Sequence, residues 1–373
     1  MGSSSPLLRQ PDQEPPHKTH ETLGAAGWTK TWTGPLAAHM TGPLAGRLAG
    51  VLTGLLRRAA VFALVLLLMA LLPRLLPGDA LDVMLDSDVQ RDLLDSERAR
   101  LRAQLGLDGS LAAQIWSDLS RLLRGDLGYS PLHGAPVADL LAEALPWTAL
   151  LIGLALPMFL GLGIGLGIEA GRQPGGALDR GLTTAMSLLA SVPPFVTAIA
   201  LMLCFSILWP ILPSGGAEPL FAPCTPVARA LEVLRHAILP AFALALHEVV
   251  RYFFVLRGAA AALSGRAFVV NARGRGVSGW RERHAYFGRN LIPVICARLG
   301  QSVATLFTAS LFVEVVFSYP GVGLLTYQAV LDRDYALLQG AIAVLAALVL
   351  ALNWGFDALT DRLVRREAGN ARR

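Results

Sequence analysis

Apolar residues fall into six long runs, near 57–77, 146–169, 181–210, 237–257, 294–316 and 338–360. Each approaches or exceeds the roughly 20 residues that an α-helix needs to cross a hydrocarbon core. A single such run would also suit a buried helix of a soluble domain, but six in one chain predict an all-α integral membrane protein with six transmembrane helices. Pro157, Gly161, Gly163, Gly165 and the Pro193-Pro194 pair interrupt these runs. Packed membrane helices accept such residues, because small side chains permit close approach and breaks are tolerated beside a cavity.

Between the runs, the polar positions divide the chain further. Residues 1–50 carry Gly, Pro, Ser, Thr and His without an apolar period. They read as a disordered N-terminal extension of the cytoplasmic side, and a start codon assigned too far upstream explains the same composition. The basic-then-apolar order of a cleaved signal peptide is absent from them. Residues 78–145 hold Asp79, Asp82, Asp86, Asp88, Asp92 and Asp95, followed by helical spacing of apolar positions from Arg98 to Leu123. This segment is expected to form a small external lobe between the first and second membrane helices. The membrane domain itself is expected over 55–365.

Arginine sets the orientation. The segment after the fourth run carries Arg257, Arg266, Arg273, Arg275, Arg281, Arg283 and Arg289. Arg57 and Arg58 precede the first run, and Arg362, Arg365, Arg366, Arg372 and Arg373 follow the last. The alternate loops hold far fewer, so the positive-inside rule places both termini and the 258–293 segment in the cytoplasm.

Composition excludes several functions. With 54% hydrophobic and 16% charged residues, the chain is far less charged than a soluble domain. Its net charge of +5 follows the membrane flanks and forms no continuous basic face, so nucleic acid is not an expected partner. Cys204, Cys224 and Cys296 lack metal or redox spacing. The only lysines are Lys18 and Lys30, neither in a phosphate-binding glycine loop, so this chain has no P-loop, and if ATP drives the protein another chain binds it. His247-Glu248 is followed by Val249, Val250 and Arg251 and so is no zinc-protease motif, and a Gly-x-Ser-x-Gly elbow is absent. No catalytic residue, metal site or cofactor site is expected, and the chain is not read as an enzyme.

Three blocks carry a more specific signal. The first is the basic run from Arg266 to Leu299, which contains Ala272, Gly276 and Pro293. The second joins Leu105-Gly106-Leu107, Gly125-Asp126-Leu127-Gly128-Tyr129-Ser130, Pro136-Val137 and Leu145-Pro146-Trp147-Thr148. The third is Val313 to Gly323, with Arg333-Asp334-Tyr335 and Gln339-Gly340 after it. Together, in order and over roughly 55–365, these resemble the peptide/nickel family of ATP-binding cassette importer permeases. Val270 stands where many importers have a glutamate, a departure often found in peptide-type permeases.

The resemblance implies the type I importer permease fold and half of a translocation pathway for peptides or related small solutes. It also implies a second similar permease, two cytoplasmic ATPases carrying ATP and magnesium, and an extracytoplasmic substrate-binding protein. Within it, Ala272, Arg273, Arg275, Gly276 and Pro293 would belong to the ATPase-coupling loop, the small residues letting the helix seat in a partner's groove and the glycine supplying the bend between two short helices. Asp126, Gly128 and Tyr129 would face the binding protein. Read from the residues alone, His247, Glu248, Arg251 and Glu314 are charged or polar positions within apolar runs, forming either a gate or a packing cluster. The alternative function is a stand-alone, ion-coupled secondary transporter, although the two halves show no convincing inverted repeat.

Overall fold

The computed structural model describes residues 53–54, 56–57, 59–69, 71, 110–219 and 225–370. The extension over 1–50, the acidic stretch 79–95 and the start of the helix expected from Arg98 lie outside them. Helix α1, Ala59–Met69, covers the middle of the first apolar run. Helix α2 spans Leu111–Leu123, and its Ser110 cap accepts the Ala113 N–H at 3.3 Å. A two-stranded hairpin follows, β1 (Tyr129–Ser130) pairing antiparallel with β2 (Ala135–Pro136).

Pro136 ends the hairpin and starts α3, Val137–Arg172. Residues 137–145, expected in the lobe, therefore form the first turns of this long helix. The helix continues through Pro146 and Pro157. The third apolar run forms two helices, α4 (Ala177–Ala190) and α5 (Pro194–Met202), the latter extended by a π-helical turn over Leu203–Leu208. They bend by 99° at the Pro193-Pro194 pair that interrupts this run. Pro193 and Pro194 are the cause: neither offers an N–H, and a residue before proline is driven from helical to extended geometry. Helices α6 (Pro226–Ser264) and α7 (Ala267–Gly274) lead into a short helical turn, α8 (Gly279–Arg281), a π-helical turn over Glu282–Gly288, and α9 (Arg289–Val316). Helices α10 (Val322–Leu331) and α11 (Tyr335–Asn370) complete the order.

Among the described residues, four stretches are long and apolar enough to cross a membrane: Val137–Arg172, Pro226–Ser264, Gly279–Val316 and Tyr335–Phe356. The bent α4–α5 pair makes a fifth if it counts as one crossing.

The tightest seam lies between α3 and α6. Gly163, Gly167 and Gly171 recur every fourth residue and so share one face of α3. A methyl group on Gly163 would sit 2.6 Å from Tyr252 Cβ, one on Gly167 2.9 Å from Leu256 Cβ, and one on Gly171 2.5 Å from the Arg257 carbonyl. Gly161 and Gly165, on other faces, would meet nothing within 4 Å. Of the glycines prominent in this run, only the fourfold series serves close packing.

At the Val137 end, a carboxylate organises the backbone. Glu314, near the end of α9, is fully buried. Its Oε1 accepts the Thr148 hydroxyl of α3 at 2.8 Å, and Oε2 accepts the Gly323 and Leu324 N–H groups at 2.6 and 3.2 Å. The negative charge thus rests on the positive end of α10. Its own carbonyl takes the Tyr319 N–H at 2.8 Å, closing the turn in which Ser318 has φ +47°. Thr148 Oγ1 in turn accepts the Val322 N–H at 2.9 Å. A Cβ on Gly321 would come within 2.4 Å of the Glu314 carboxyl carbon. The Ser-Tyr-Pro-Gly-Val-Gly sequence after α9 is therefore shaped around this side chain.

Two stability predictions follow from these contacts. Gly171→Ala in the purified chain lowers the thermal unfolding midpoint in detergent, by an overpacking cost of about 1–3 kcal/mol, whereas Gly165→Ala leaves it unmoved; equal midpoints for the two variants would contradict the seam. Glu314→Ala leaves buried N–H and O–H donors without an acceptor, and a loss of about 1–3 kcal/mol for each group left unsatisfied is expected. The same melting assay reads it.

Candidate functional site

The Arg-rich segment 258–293 folds as a bent helical hairpin attached to the Arg172 end of α3. Helix α6 runs through the first part of it, to Ser264. Helix α7 ends in a turn where the Val277 N–H reaches the Ala272 carbonyl and the Gly276 N–H reaches that of Arg273, at 3.0 and 2.9 Å. This termination requires a left-handed residue, and Gly276 supplies it with φ +81°. The glycine bend expected from the sequence is thus present at the expected residue.

The exposed side of α7 is not the one expected. Ala272, assigned to a partner's groove, is fully buried within this chain together with Val269. The small residue allows α7 to pack close against its own neighbours. What the segment offers outward is Phe268, Val270 and Trp280, the last 73% exposed, with Arg275 and Gly276 beside them. Pro293 lies in the second turn of α9, at its start.

Beside that surface, five charged side chains form a continuous chain of ion pairs. Arg172, the last residue of α3, donates through Nη1 to both Glu169 oxygens at 2.9 Å. Its Nη2 donates to Glu282 Oε2 at 2.9 Å. Arg273 of α7 donates through Nε to Glu282 Oε1 at 2.7 Å and through Nη2 to the Arg172 carbonyl at 3.0 Å. Arg283 ends the chain on Glu169 with bonds of 2.6 and 3.0 Å. The Glu282 side chain is 3% exposed and that of Arg172 10%. Such paired, hydrogen-bonded forks are what permit charge to be buried. A second pair lies close by in the chain: Arg257 of α6 grips Asp179 of α4 with both Nε and Nη2.

Of these residues only Arg273 was a sequence candidate. Glu169, Arg172 and Glu282 were missed. A signal for Glu282 was present, since it is the only Asp or Glu between Glu248 and Glu314 and stands among arginines.

The remaining candidates separate into different places. Asp126 follows α2, where Arg121 Nε and the Gly128 N–H each donate to it at 2.9 Å. Arg121 first, and then the Gly128 amide, hold its carboxyl below the usual carboxylate range. Gly128 passes its carbonyl to the Val137 N–H at 3.1 Å, and Tyr129 is 55% exposed on β1. The hairpin is tied to α11 by the buried Ser130 hydroxyl, which donates to Asp334 at 2.5 Å and lies 3.0 Å from His133 Nδ1.

Glu248 and Arg251 form the ion pair their spacing suggested, at 2.7 Å. His247 turns away from Arg251 and places Nε2 3.0 Å from the Val192 carbonyl, at the bend between α4 and α5. Glu314 has the separate partners described above, so these four residues do not make one cluster. An i, i+4 spacing gives a shared helix face, but the partners offered by other helices decide where each side chain goes.

Comparison with known proteins identifies the family. Residues 163–369 match the family model described as binding-protein-dependent transport system inner membrane component. A putative peptide permease of Brucella suis is 30% identical over 277 residues, covering 74% of this chain and 85% of its own. A putative peptide transport system permease of Brucella abortus is 31% identical over 260 residues, covering 70% and 81%. The peptide transport system permease SapB of Salmonella typhimurium is 28% identical over 262 residues, 65% of this chain and 82% of SapB. With the family model spanning more than half of its length and its apolar helices among the matched residues, this chain belongs to the binding-protein-dependent inner-membrane components, the non-catalytic permease subunits of ATP-binding cassette importers.

Proposed function

We propose that the chain forms one half of a translocation pathway for peptides or related small solutes. It would work with a second, similar permease, two cytoplasmic ATPases that carry the ATP and magnesium, and an extracytoplasmic binding protein. This chain needs no cofactor of its own. The peptide assignment is supported by the names of its relatives. In this reading the chain crosses the inner membrane six times in the type I permease manner, with both termini in the cytoplasm. Helix α1 belongs to the first crossing, and the 78–136 lobe, with Asp126, Gly128 and Tyr129, faces the binding protein.

The observation that carries the reading is the 258–293 segment. It presents Phe268, Val270 and Trp280 to solvent beside Arg275 and Arg281, while Val269, Ala272 and Phe287 anchor it to the helices. An exposed aromatic patch rimmed by arginine suits a partner groove with an apolar floor and acidic edges. The cytoplasmic placement of this segment rests on the arginine bias of the loops. ATP binding would draw the two ATPases together, and α7 would carry that movement into the membrane helices. Transport is then a shift between inward-open and outward-open packings, driven by the different affinities of the partners for each.

Mild-detergent purification of the tagged chain from native membranes should recover a second permease and ATPase subunits, identified by mass spectrometry. Trp280→Asp combined with Phe268→Asp should reduce ATPase recovery at least fivefold without lowering the melting midpoint of the chain. Gly276→Val should reduce it too, because a branched residue in left-handed geometry costs about 1–2 kcal/mol. Recovery of the chain alone, under conditions that preserve another importer, would overturn the reading. Uptake of labelled tri-alanine by cells carrying the complete gene set, lost on deleting this gene, tests the substrate class.

A further inference from the structure

Glu282 occupies an unusual position for a lone carboxylate. Between Glu248 and Glu314 it has no acidic neighbour in sequence, yet its own side chain is almost fully buried. Its two oxygens point to different elements. Oε1 takes Arg273, in the last turn of α7, and Oε2 takes Arg172, at the end of α3. A surface carboxylate paired with one arginine would add little. Here one side chain joins a short helix at the surface to α3, and the Arg273 bond to the Arg172 carbonyl runs parallel to it.

The geometry points to Glu282 as the positioning residue that makes α7 and α3 move as one body. A push on α7 reaches Arg172 through two charge-assisted bonds of 2.7 and 2.9 Å that meet on the buried Glu282 carboxylate. From Arg172 it passes into the glycine seam, where α3 has no slack against α6. Neither Val269 nor Ala272 can do this alone, since apolar contacts of small side chains permit sliding. Glu169 and Arg283 serve differently: they fix the π-helical turn to α3 and leave α7 unattached. The inference rests on the reading of 258–293 as the ATPase contact, and it assigns the transmission within that contact to one carboxylate.

The test uses the full complex with its ATPases, in a version lacking Cys204, Cys224 and Cys296. Spin labels are placed at exposed Asn271 of α7 and Leu162 of α3, and their separation is measured without nucleotide and after trapping with magnesium-ATP and vanadate. With Glu282 intact, the separation stays one narrow population in both states. Glu282→Gln keeps the shape and removes the charge; it should split or broaden that population on trapping, and stimulation of ATP hydrolysis by the binding protein should fall at least fivefold. Glu282→Asp, which keeps the charge, should restore a narrow population. An unchanged, narrow distance in Glu282→Gln would overturn the inference. So would broadening already present without nucleotide, accompanied by a lower melting midpoint, since that is loss of packing. If the ATPases fail to co-purify even with Glu282 intact, the contact reading falls, and this inference with it; if they co-purify and Glu282→Gln behaves as the unaltered protein does, only this inference falls.

Discussion

The rest of the membrane domain is arranged around the close approach of α3 and α6. Gly163, Gly167 and Gly171 bring the two backbones so near that Tyr252, Leu256 and Ala260 fill the space a side chain would need. In lipid, apolar side chains have no aversion to their surroundings, so fit and dispersion must hold helices together. A seam without side chains on one partner maximises both. It also fixes the rotation of α3 about its axis, and hence where Thr148 and Arg172 must point. The charged knots near the two ends of α3 inherit their geometry from its middle.

Those knots solve the same problem by different means. Each hides charge where unpaired charge is costly. At the Thr148 end, Glu314 is satisfied largely by backbone amides of α10 and by one hydroxyl. At the Arg172 end, Glu169 and Glu282 are satisfied by guanidinium forks from three arginines. The first arrangement spends a carboxylate on fixing a turn and a helix start. The second joins segments far apart in sequence through long side chains.

Much of this was legible in the sequence. Apolar run length gave the crossings that the described residues contain, and the sequence around Gly276 gave the bend it forms. Pro193-Pro194 was read as a tolerated interruption of its run, and the structure gives its size, a 99° bend where two successive residues lack N–H groups. The failures have physical causes. Ala272 was read as partner-facing because it is small, yet smallness equally suits contact within the chain, and periodicity over eight residues could not choose the face. His247, Glu248, Arg251 and Glu314 were grouped by their cost in lipid. Partners contributed by distant segments, the Val192 carbonyl and the α10 amides, then separated them, and nothing local in the sequence encodes those partners.

The two knots bear on how a movement passes through the domain. Amide donors are fixed to the backbone, so releasing Glu314 would require unwinding the first turn of α10, and the same carboxylate fills the space against Gly321 and Gly323. Arginine forks sit on longer stems, yet Glu282 is held by two of them from two different helices, and the Arg273 bond to the Arg172 carbonyl is a further tie. One carboxylate therefore joins α9, α10 and α3, another joins α7 to α3, and the glycine seam lies between them. A push on α7 reaches α3 and α6 without first loosening a polar contact.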